Sequence, residues 1–295
     1  MKDWKELLFE KRLNLAKLNK SHPWSQKQVD EVLKKLKLNK SRDPLGYVNE
    51  IFRFNNAGSD LRTSVKKMCN SIKEKMTVPD ILQVEDITCI YKGKGAKNDL
   101  ANERGIFGIP RLKQILEKLI YADSYDTIDS NMSDSNAGAR TRRNGRNHLF
   151  IVYGVINYVL KEKRKPIDLG IYDIECCFDK IDLKEALNYL WDSGVQDDKF
   201  ALLYELNKKL KILGKTSVGK TDREVVNEIV AQGGIFGGLK CSNLIDSIGK
   251  ECLNTGENLY PYKNYVNVPP LSFVDDLLTI SECGVNSLVS NSVMN

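Results

Sequence analysis

Two adjacent aspartates, Asp275 and Asp276, stand inside the apolar run LSFVDDLLTI at residues 271–280. Aspartate is depleted in strands, and an unpaired carboxylate is costly to bury. Two neighbouring carboxylates also repel each other. A bound divalent cation reverses that penalty, so the pair indicates a metal site. A tight hairpin whose turn residues are aspartates is the alternative explanation.

A third carboxylate has the same setting. Asp173, in GIYDIECCFDKI, directly follows an apolar segment that has the pattern of a strand. If the two strand ends meet, Asp173, Asp275 and Asp276 could together hold two Mg²⁺ or Mn²⁺ ions. Two ions about 3.5–4 Å apart activate a 3′-hydroxyl and stabilise a leaving pyrophosphate. We therefore predict catalytic and metal-ligand roles for these three aspartates.

The elements that must position these residues follow an α+β pattern. The first half is mainly helical, and residues 86–95 and 104–109 have the pattern of a β-hairpin, with Pro110 at the start of the next helix. The second half alternates a strand, helices, charged strands, a glycine turn that leads into a helix, and the hairpin around Asp275. This order, which ends in an antiparallel hairpin, predicts an α+β sheet with helices packed on one face.

Charge is unevenly distributed along the chain. The formal net charge is +6, yet residues 1–120 carry 25 Lys and Arg against 15 Asp and Glu. A basic front and an acidic back suit a protein that grips phosphates with one part and metal with the other, although an ordinary charged surface would look the same. Seven cysteines without a CxxC pair, and only two histidines, argue against a zinc site.

Two basic segments are candidates for phosphate contacts. Lys92 and Lys94 in KGKG, with Arg104 close behind, place cations on a hairpin that could close over a triphosphate, unless it is a plain solvated turn. The segment GARTRRNGRNH at 138–148 is denser and could follow a nucleic-acid backbone. Its arginines are Arg140, Arg142, Arg143 and Arg146.

The segment GKTSVGKT at 214–221 fits the spacing of a P-loop. A P-loop needs a buried strand before it and a helix after it. Here an amphipathic helix precedes the segment and a strand-like alternation follows it. We therefore expect Lys215, Lys220 and Arg223 to be exposed charges on a hairpin.

Taken in order, these segments resemble the boxes of reverse transcriptases, most closely those of non-LTR, LINE-type retrotransposons. The similarity covers roughly residues 25–280. The matching segments are LKLNKSRDPLGYVNE, ITCIYKGKG with NERGIFGIPRLKQILEKLI, NAGARTRRNGRNHLF, DIECCFD, QGGIFGGLKCSNLIDSIGKE and FVDD.

The resemblance implies a right-hand polymerase with helical, basic fingers and a ferredoxin-like antiparallel palm, its thumb missing. The implied divisions are an N-terminal extension (1–24), fingers (25–165), palm (166–280) and tail (281–295). The implied activity is RNA-directed DNA synthesis with two Mg²⁺ or Mn²⁺ ions. RNA template, DNA primer and dNTPs are the expected partners, without an obligate protein partner.

The resemblance also implies site residues. Phe178 would lie under the sugar of the incoming nucleotide and exclude a 2′-hydroxyl. Gln232 and Gly233, at the head of the glycine box, would join Lys92, Lys94 and Arg104 in nucleotide binding. Arg140, Arg142, Arg143 and Arg146 would contact the template.

Two further expectations concern the chain as a whole. It stops 19 residues after Asp276, so a non-catalytic remnant that at most binds nucleic acid is the alternative to an active polymerase. The start has no signal-peptide core, and the longest apolar run, residues 149–160, is too short to span a bilayer. That run is expected to form a buried helix, in an intracellular protein of the nucleus or cytoplasm.

Overall fold

The computed structural model describes residues 4–54, 59–96, 99, 102–174, 180–216, 219–228, 230, 234–255, 260–262 and 266–282. The fold is α+β, with 53% helix and 20% strand. The chain divides into two compact units, each built from two separate stretches. The first unit comprises Met1–Asp126 and Ile181–Gly237, and the second comprises Thr127–Lys180 and Gly238–Asn295.

Helices dominate the first half of the chain, whereas strands are more frequent in the second half. The first half contains α1 (Trp4–Leu18), α2 (Gln26–Lys34), α3 (Asn49–Arg53), α4 (Asp60–Lys75), β1 (Val84–Tyr91), β2 (Glu103–Gly108), α5 (Arg111–Asn131) and α6 (Gly145–Asn157). The second half contains β3 (Ile167–Asp173), α7 (Leu183–Asp192), α8 (Asp198–Asn207), β4 (Lys209–Thr216), β5 (Gly219–Asn227), α9 (Gly237–Thr255), β6 (Tyr260–Tyr262), β7 (Val266–Val268), β8 (Leu271–Phe273) and β9 (Asp276–Glu282).

Helix α1 belongs to the core of the first unit. Its Phe9 is 1% exposed, and the Phe9 ring lies 5.8 Å from that of Phe200 and 5.0 Å from that of Tyr204, both on α8. Arg12 adds an ion pair of 2.5 Å with Asp192 at the end of α7. The described part of the stretch 1–24, which the resemblance assigns to an N-terminal extension, therefore contributes to the core of this unit through α1.

The sheet of the first unit has the strand order β2-β1-β4-β5. Strands β1 and β2 form the antiparallel hairpin that the sequence predicts, and α5 begins directly after Pro110. Strand β4 pairs in parallel with β1, from Val84 opposite Lys211 to Thr88 opposite Lys215. Apolar residues buried together at this sheet are Phe107, Ile109, Leu210 and Ile212.

A buried ion pair links this sheet to α5. The Nζ of Lys113 lies 2.6 Å from Oε1 of Glu85, and both side chains are fully shielded from solvent. Desolvating two charges is costly, and only close, well-oriented pairing offsets that cost. Each partner is therefore tolerated in the core because the other is present.

The second unit contains a three-stranded antiparallel sheet with the order β3-β9-β8. Its core is a cluster of Val152, Val155, Val159, Tyr260, Val268, Leu271 and Ile280. Helix α6 supplies part of that cluster with one side only: Leu149, Phe150 and Tyr153 are 69%, 80% and 68% exposed. The expectation of a fully buried helix at 149–160 is therefore wrong.

The units also differ from the domain boundaries drawn along the sequence. Residues 181–237, placed in the palm (166–280), cluster with the first unit, whereas residues 127–165, placed in the fingers (25–165), cluster with the second. The physical reason is long-range packing, such as that of Phe9 on Phe200, which outweighs proximity in sequence. No helix among the described residues is long and apolar enough to cross a membrane.

We expect Lys113→Met to lower the free energy of unfolding by about 3–5 kcal/mol, because it leaves the Glu85 charge buried without its partner. Replacing both residues, Lys113→Met with Glu85→Leu, should recover most of the loss. Urea denaturation measures both effects. Lys5→Met, at the exposed Lys5–Glu185 pair, is the control and should cost less than about 1 kcal/mol. Equal losses at the two sites would contradict this account.

Candidate active site

The pairing of β3 with β9 brings the predicted aspartates together. Asp173 is the last residue of β3 and stands directly opposite Asp276, the first residue of β9. The next backbone contact is the Ile174 N–H, which donates to the Asp275 carbonyl at 3.3 Å. Residues opposite each other in an antiparallel pair have Cβ atoms about 4.5–5.5 Å apart, on the same face of the sheet.

A two-residue turn carries Asp275. Phe273 of β8 pairs with Asp276 of β9, so the turn consists of Val274 and Asp275 alone. Val274 has a φ of +59°, a conformation that a β-branched residue rarely adopts. Strained backbone of this kind persists only where the surrounding structure enforces it, and it concentrates at functional sites.

The electrostatics of the three carboxylates favour a bound cation. Burial raises the pKa of Asp276, and the nearby carboxylates of Asp275 and Asp173 raise it further. Asp275 and Asp173 thus lie close enough to Asp276 to oppose its ionisation, an effect that a divalent cation would reverse.

The protein side chains would supply only some of the ligands of a metal ion. In the part of the chain that the structure describes, no three His, Cys, Asp or Glu side chains form a ready-made metal site. Mg²⁺ typically takes one or two carboxylates and completes its shell with water and substrate phosphates. The residues present fit such an ion, with substrate oxygens supplying the remaining ligands.

The predicted triphosphate contacts lie on the β1–β2 hairpin of the first unit. Arg104 pairs with Ile90 in the hairpin register, and the Lys92 N–H donates to the Asn102 carbonyl at 2.8 Å. Lys94 and Arg104 are exposed. Gly93 and Gly95, with φ values of +81° and +78°, form the bend that the KGKG segment predicts. A role in triphosphate binding stays a prediction for these cations.

The arginine cluster of the second unit is not uniform. Arg140 is 7% exposed: its guanidinium donates to the Asp129 carboxylate at 2.7 Å and to the carbonyls of Ser133 and Asn136 at 2.6 and 2.8 Å. The expectation that Arg140 contacts template is wrong, because these internal partners hold its charge inside the unit.

The other three arginines remain near the surface. Arg143 forms an ion pair of 2.6 Å with Asp134, whose side chain is 91% exposed. Arg142 and Arg146 are exposed. Arg146 lies in the first turn of α6, where its N–H donates to the side chain of the capping residue Asn144. Template contact remains a prediction for these three arginines.

The P-loop alternative lacks the required context. Residues 214–216 end β4 and residues 219–221 begin β5, and the two strands pair antiparallel. Lys215 forms an ion pair with the buried Asp86, whereas Lys220 and Arg223 are exposed. No helix follows the segment, so it does not form a phosphate-binding loop. Lys215 itself is only partly exposed, contrary to expectation, because it is paired.

Three predicted nucleotide contacts, Phe178, Gln232 and Gly233, lie outside the described residues. Conversely, sequence reasoning missed Asn136 and Ser242, two fully buried polar residues close to the aspartate turn. Asn136 lies just before the basic segment 138–148, and Ser242 lies on α9. Neither has a spacing pattern that would have marked it. Comparison of the sequence with models of known protein families and with curated proteins finds no match.

We expect Asp276→Asn to stabilise the metal-free protein at pH 7. Because the pKa of Asp276 is raised above its ordinary 3.8, the folded protein binds more protons than the unfolded chain as pH rises through that range, and stability falls. The substitution removes this loss and should raise the free energy of unfolding by less than about 1 kcal/mol, because solvent screens the side chain. The gain should vanish below about pH 3, where both states are protonated.

Thermal melts in EDTA at several pH values measure this effect. Asp168→Asn is the control and should give no such gain in stability, because Asp168 lies on β3 with its side chain on the face of the sheet opposite to that of Asp173. An Asp276→Asn protein less stable than wild type at pH 7 would contradict the proposed repulsion.

Proposed function

We propose that this chain is an RNA-directed DNA polymerase domain that works by two-metal nucleotidyl transfer. The observation that carries the proposal is the pairing of Asp173 with Asp276 on neighbouring strands, with Asp275 in the adjoining turn. Carboxylates at a strand end and at a hairpin tip are what such a reaction requires. In their order along the sequence, the resembling segments favour a reverse transcriptase over other nucleotidyl transferases.

The two units support a division of labour. In this proposal the three-stranded antiparallel sheet of the second unit would serve as the palm, and the basic hairpin of the first unit would belong to the fingers. When bound, two Mg²⁺ or Mn²⁺ ions would lower the pKa of a primer 3′-hydroxyl and stabilise the charge of the departing pyrophosphate. Asp173 and Asp275 would hold these ions, with Asp276 as an auxiliary ligand.

The chain's own cations would hold the substrates. Lys92, Lys94 and Arg104 would neutralise the triphosphate of a dNTP, since positive side chains stabilise charge that shifts during phosphoryl transfer. Gln232 and Gly233 would also contact the nucleotide, and Phe178 would reject ribonucleotides by a clash with the 2′-hydroxyl. RNA template would bind along Arg142, Arg143 and Arg146, with the DNA primer paired to it.

Primer extension on an RNA template with Mg²⁺ tests the proposal. We expect Asp275→Ala and Asp173→Asn to lower dNTP incorporation at least about 100-fold, because misplacing reacting groups by 1 Å costs that much. Asp168→Asn is the matched control, since this exposed aspartate lies on β3 with its side chain on the other face. It should retain wild-type incorporation.

Mn²⁺ titration of the same proteins separates the outcomes. Incorporation that survives Asp275→Ala would refute the proposal. Asp275-dependent Mn²⁺ binding without any DNA synthesis would instead favour the alternative, a non-catalytic retroelement remnant that binds nucleic acid.

We expect Arg142 and Arg146 to supply phosphate contacts. Each phosphate neutralised on a single strand contributes about −0.7 to the slope of log K against log salt. Replacing both arginines with Gln should therefore flatten the salt dependence of RNA binding by about 1.4 units, measured by fluorescence anisotropy. The paired replacement Lys11→Gln with Lys27→Gln, at two exposed lysines of α1 and α2, controls for net charge. Equal changes of slope in both proteins would rule out a local template contact.

A further inference from the structure

The segment before α6 lies directly against the aspartate hairpin of β8, Val274–Asp275 and β9. The Ala137 N–H donates to the Ser272 carbonyl at 3.0 Å, and the Ser272 N–H donates to the Ser135 carbonyl at 3.0 Å. Asn136 thereby forms a parallel bridge with Ser272 of β8. The chain at 135–138 thus extends the sheet by one short contact beside the strand that leads into the turn.

A buried polar network fixes that segment to α9. The Asn136 side chain is fully buried; its Nδ2 donates to the Ser242 carbonyl at 2.8 Å. Its Oδ1 accepts from the Gly138 N–H and from the Ser242 hydroxyl, both at 2.9 Å. The Ser242 Oγ also lies 2.8 Å from the Gly138 carbonyl. Satisfied networks in a low-dielectric interior are rigid.

Gly138 is where this segment meets the turn itself. A Cβ placed on Gly138 would lie 2.1 Å from the backbone N of Val274 and 2.9 Å from its Cα. Real Cβ atoms essentially never approach other atoms below 3.0 Å. Two of the three atoms met here are backbone atoms of Val274, and the third is the Ser242 Oγ at 2.8 Å. A side chain at this position therefore cannot be accommodated unless the turn moves.

The strained turn needs such a support. Val274 keeps its positive φ only if surrounding contacts make the alternative worse. The network fixes Gly138, and Gly138 lies against Val274, the residue before Asp275. The position of Asp275 relative to Asp173 is thus set from the side opposite to the β3–β9 pairing.

We propose that Asn136, Gly138 and Ser242, together called the turn seat, are positioning residues for the carboxylate site. They touch no substrate. They fix the position of the Val274–Asp275 turn, so that the carboxylates of Asp275 and Asp276 lie close enough to that of Asp173 to share bound metal ions. This inference rests on the proposed two-metal function. It adds one requirement to the three aspartates: the site also needs a glycine at position 138, because a side chain there would displace the turn.

Gly138→Ala and Ser242→Ala in the full chain test the proposal. Gly145→Ala is the matched control, because a Cβ on Gly145 meets nothing within 4 Å. Calorimetric titration with Mn²⁺ should show affinity reduced about 10–100-fold in Gly138→Ala, the range typical of residues that support metal ligands. Ser242→Ala introduces no clash, should fold, and should show a smaller loss in the same direction.

A second readout reports the turn without metal. The Ile174 N–H, which donates to the Asp275 carbonyl, should exchange faster with solvent in Gly138→Ala and at the wild-type rate in Gly145→Ala. In primer extension, Gly138→Ala should lower kcat while RNA–primer affinity is retained, a separation that general misfolding would not give.

The outcomes distinguish this inference from the function on which it rests. Folded Gly138→Ala and Ser242→Ala proteins with wild-type Mn²⁺ affinity and wild-type Ile174 exchange would overturn the turn seat while leaving the two-metal function intact. Wild-type protein that binds Mn²⁺ no better than Asp275→Ala would overturn the function itself, and the positioning role with it.

Discussion

The pairing of β3 with β9 places the carboxylate of Asp173 opposite that of Asp276, so that their negative charges repel. This repulsion is the constraint on which the rest of the carboxylate site depends. Asp173 and Asp276 are fixed opposite each other by a ladder that runs back to Ile167 and Glu282. The backbone therefore prevents the side chains from relaxing by moving apart along the strands. Burial raises the pKa of Asp276, and the carboxylates of Asp275 and Asp173 raise it further. A bound cation would relieve the same repulsion.

Buried polar groups stabilise the part of the second unit that adjoins the aspartate turn. The Arg140 guanidinium donates hydrogen bonds to the Asp129 carboxylate and to the carbonyls of Ser133 and Asn136. Asp246, 1% exposed, accepts from the Ser133 N–H and pairs with Lys250. Because a buried polar group left without partners costs about 1–3 kcal/mol, these contacts fix one conformation of the loop between α5 and α6. That loop includes the residues that meet the aspartate turn.

In the first unit, exposed basic residues lie on a hairpin that belongs to a larger sheet. Its sheet is mixed, with β1 hydrogen-bonded to β2 on one side and in parallel to β4 on the other. The ion pair of Lys113 with Glu85 joins α5 to β1 of that sheet. The contact of Phe9 with Phe200 joins α1 to α8. The β1–β2 hairpin can therefore project Lys94 and Arg104 while β1 itself is held from both edges.

Local chemistry in the sequence determined most of the elements, and tertiary contacts decided how they are used. The β1–β2 hairpin, the helix start after Pro110 and the aspartate hairpin each depend on residues a few positions apart. Alternation and spacing were therefore sufficient to predict them. The approach of Asp173 to Asp276, which lie far apart in sequence, required the pairing of β3 with β9. The burial of Arg140, the exposure of Phe150 and the close approach of Gly138 to Val274 could not be found in this way. Each depends on partners distant in sequence or on the outward side of a packed helix, and a residue's type does not specify which atoms surround it once the chain has folded.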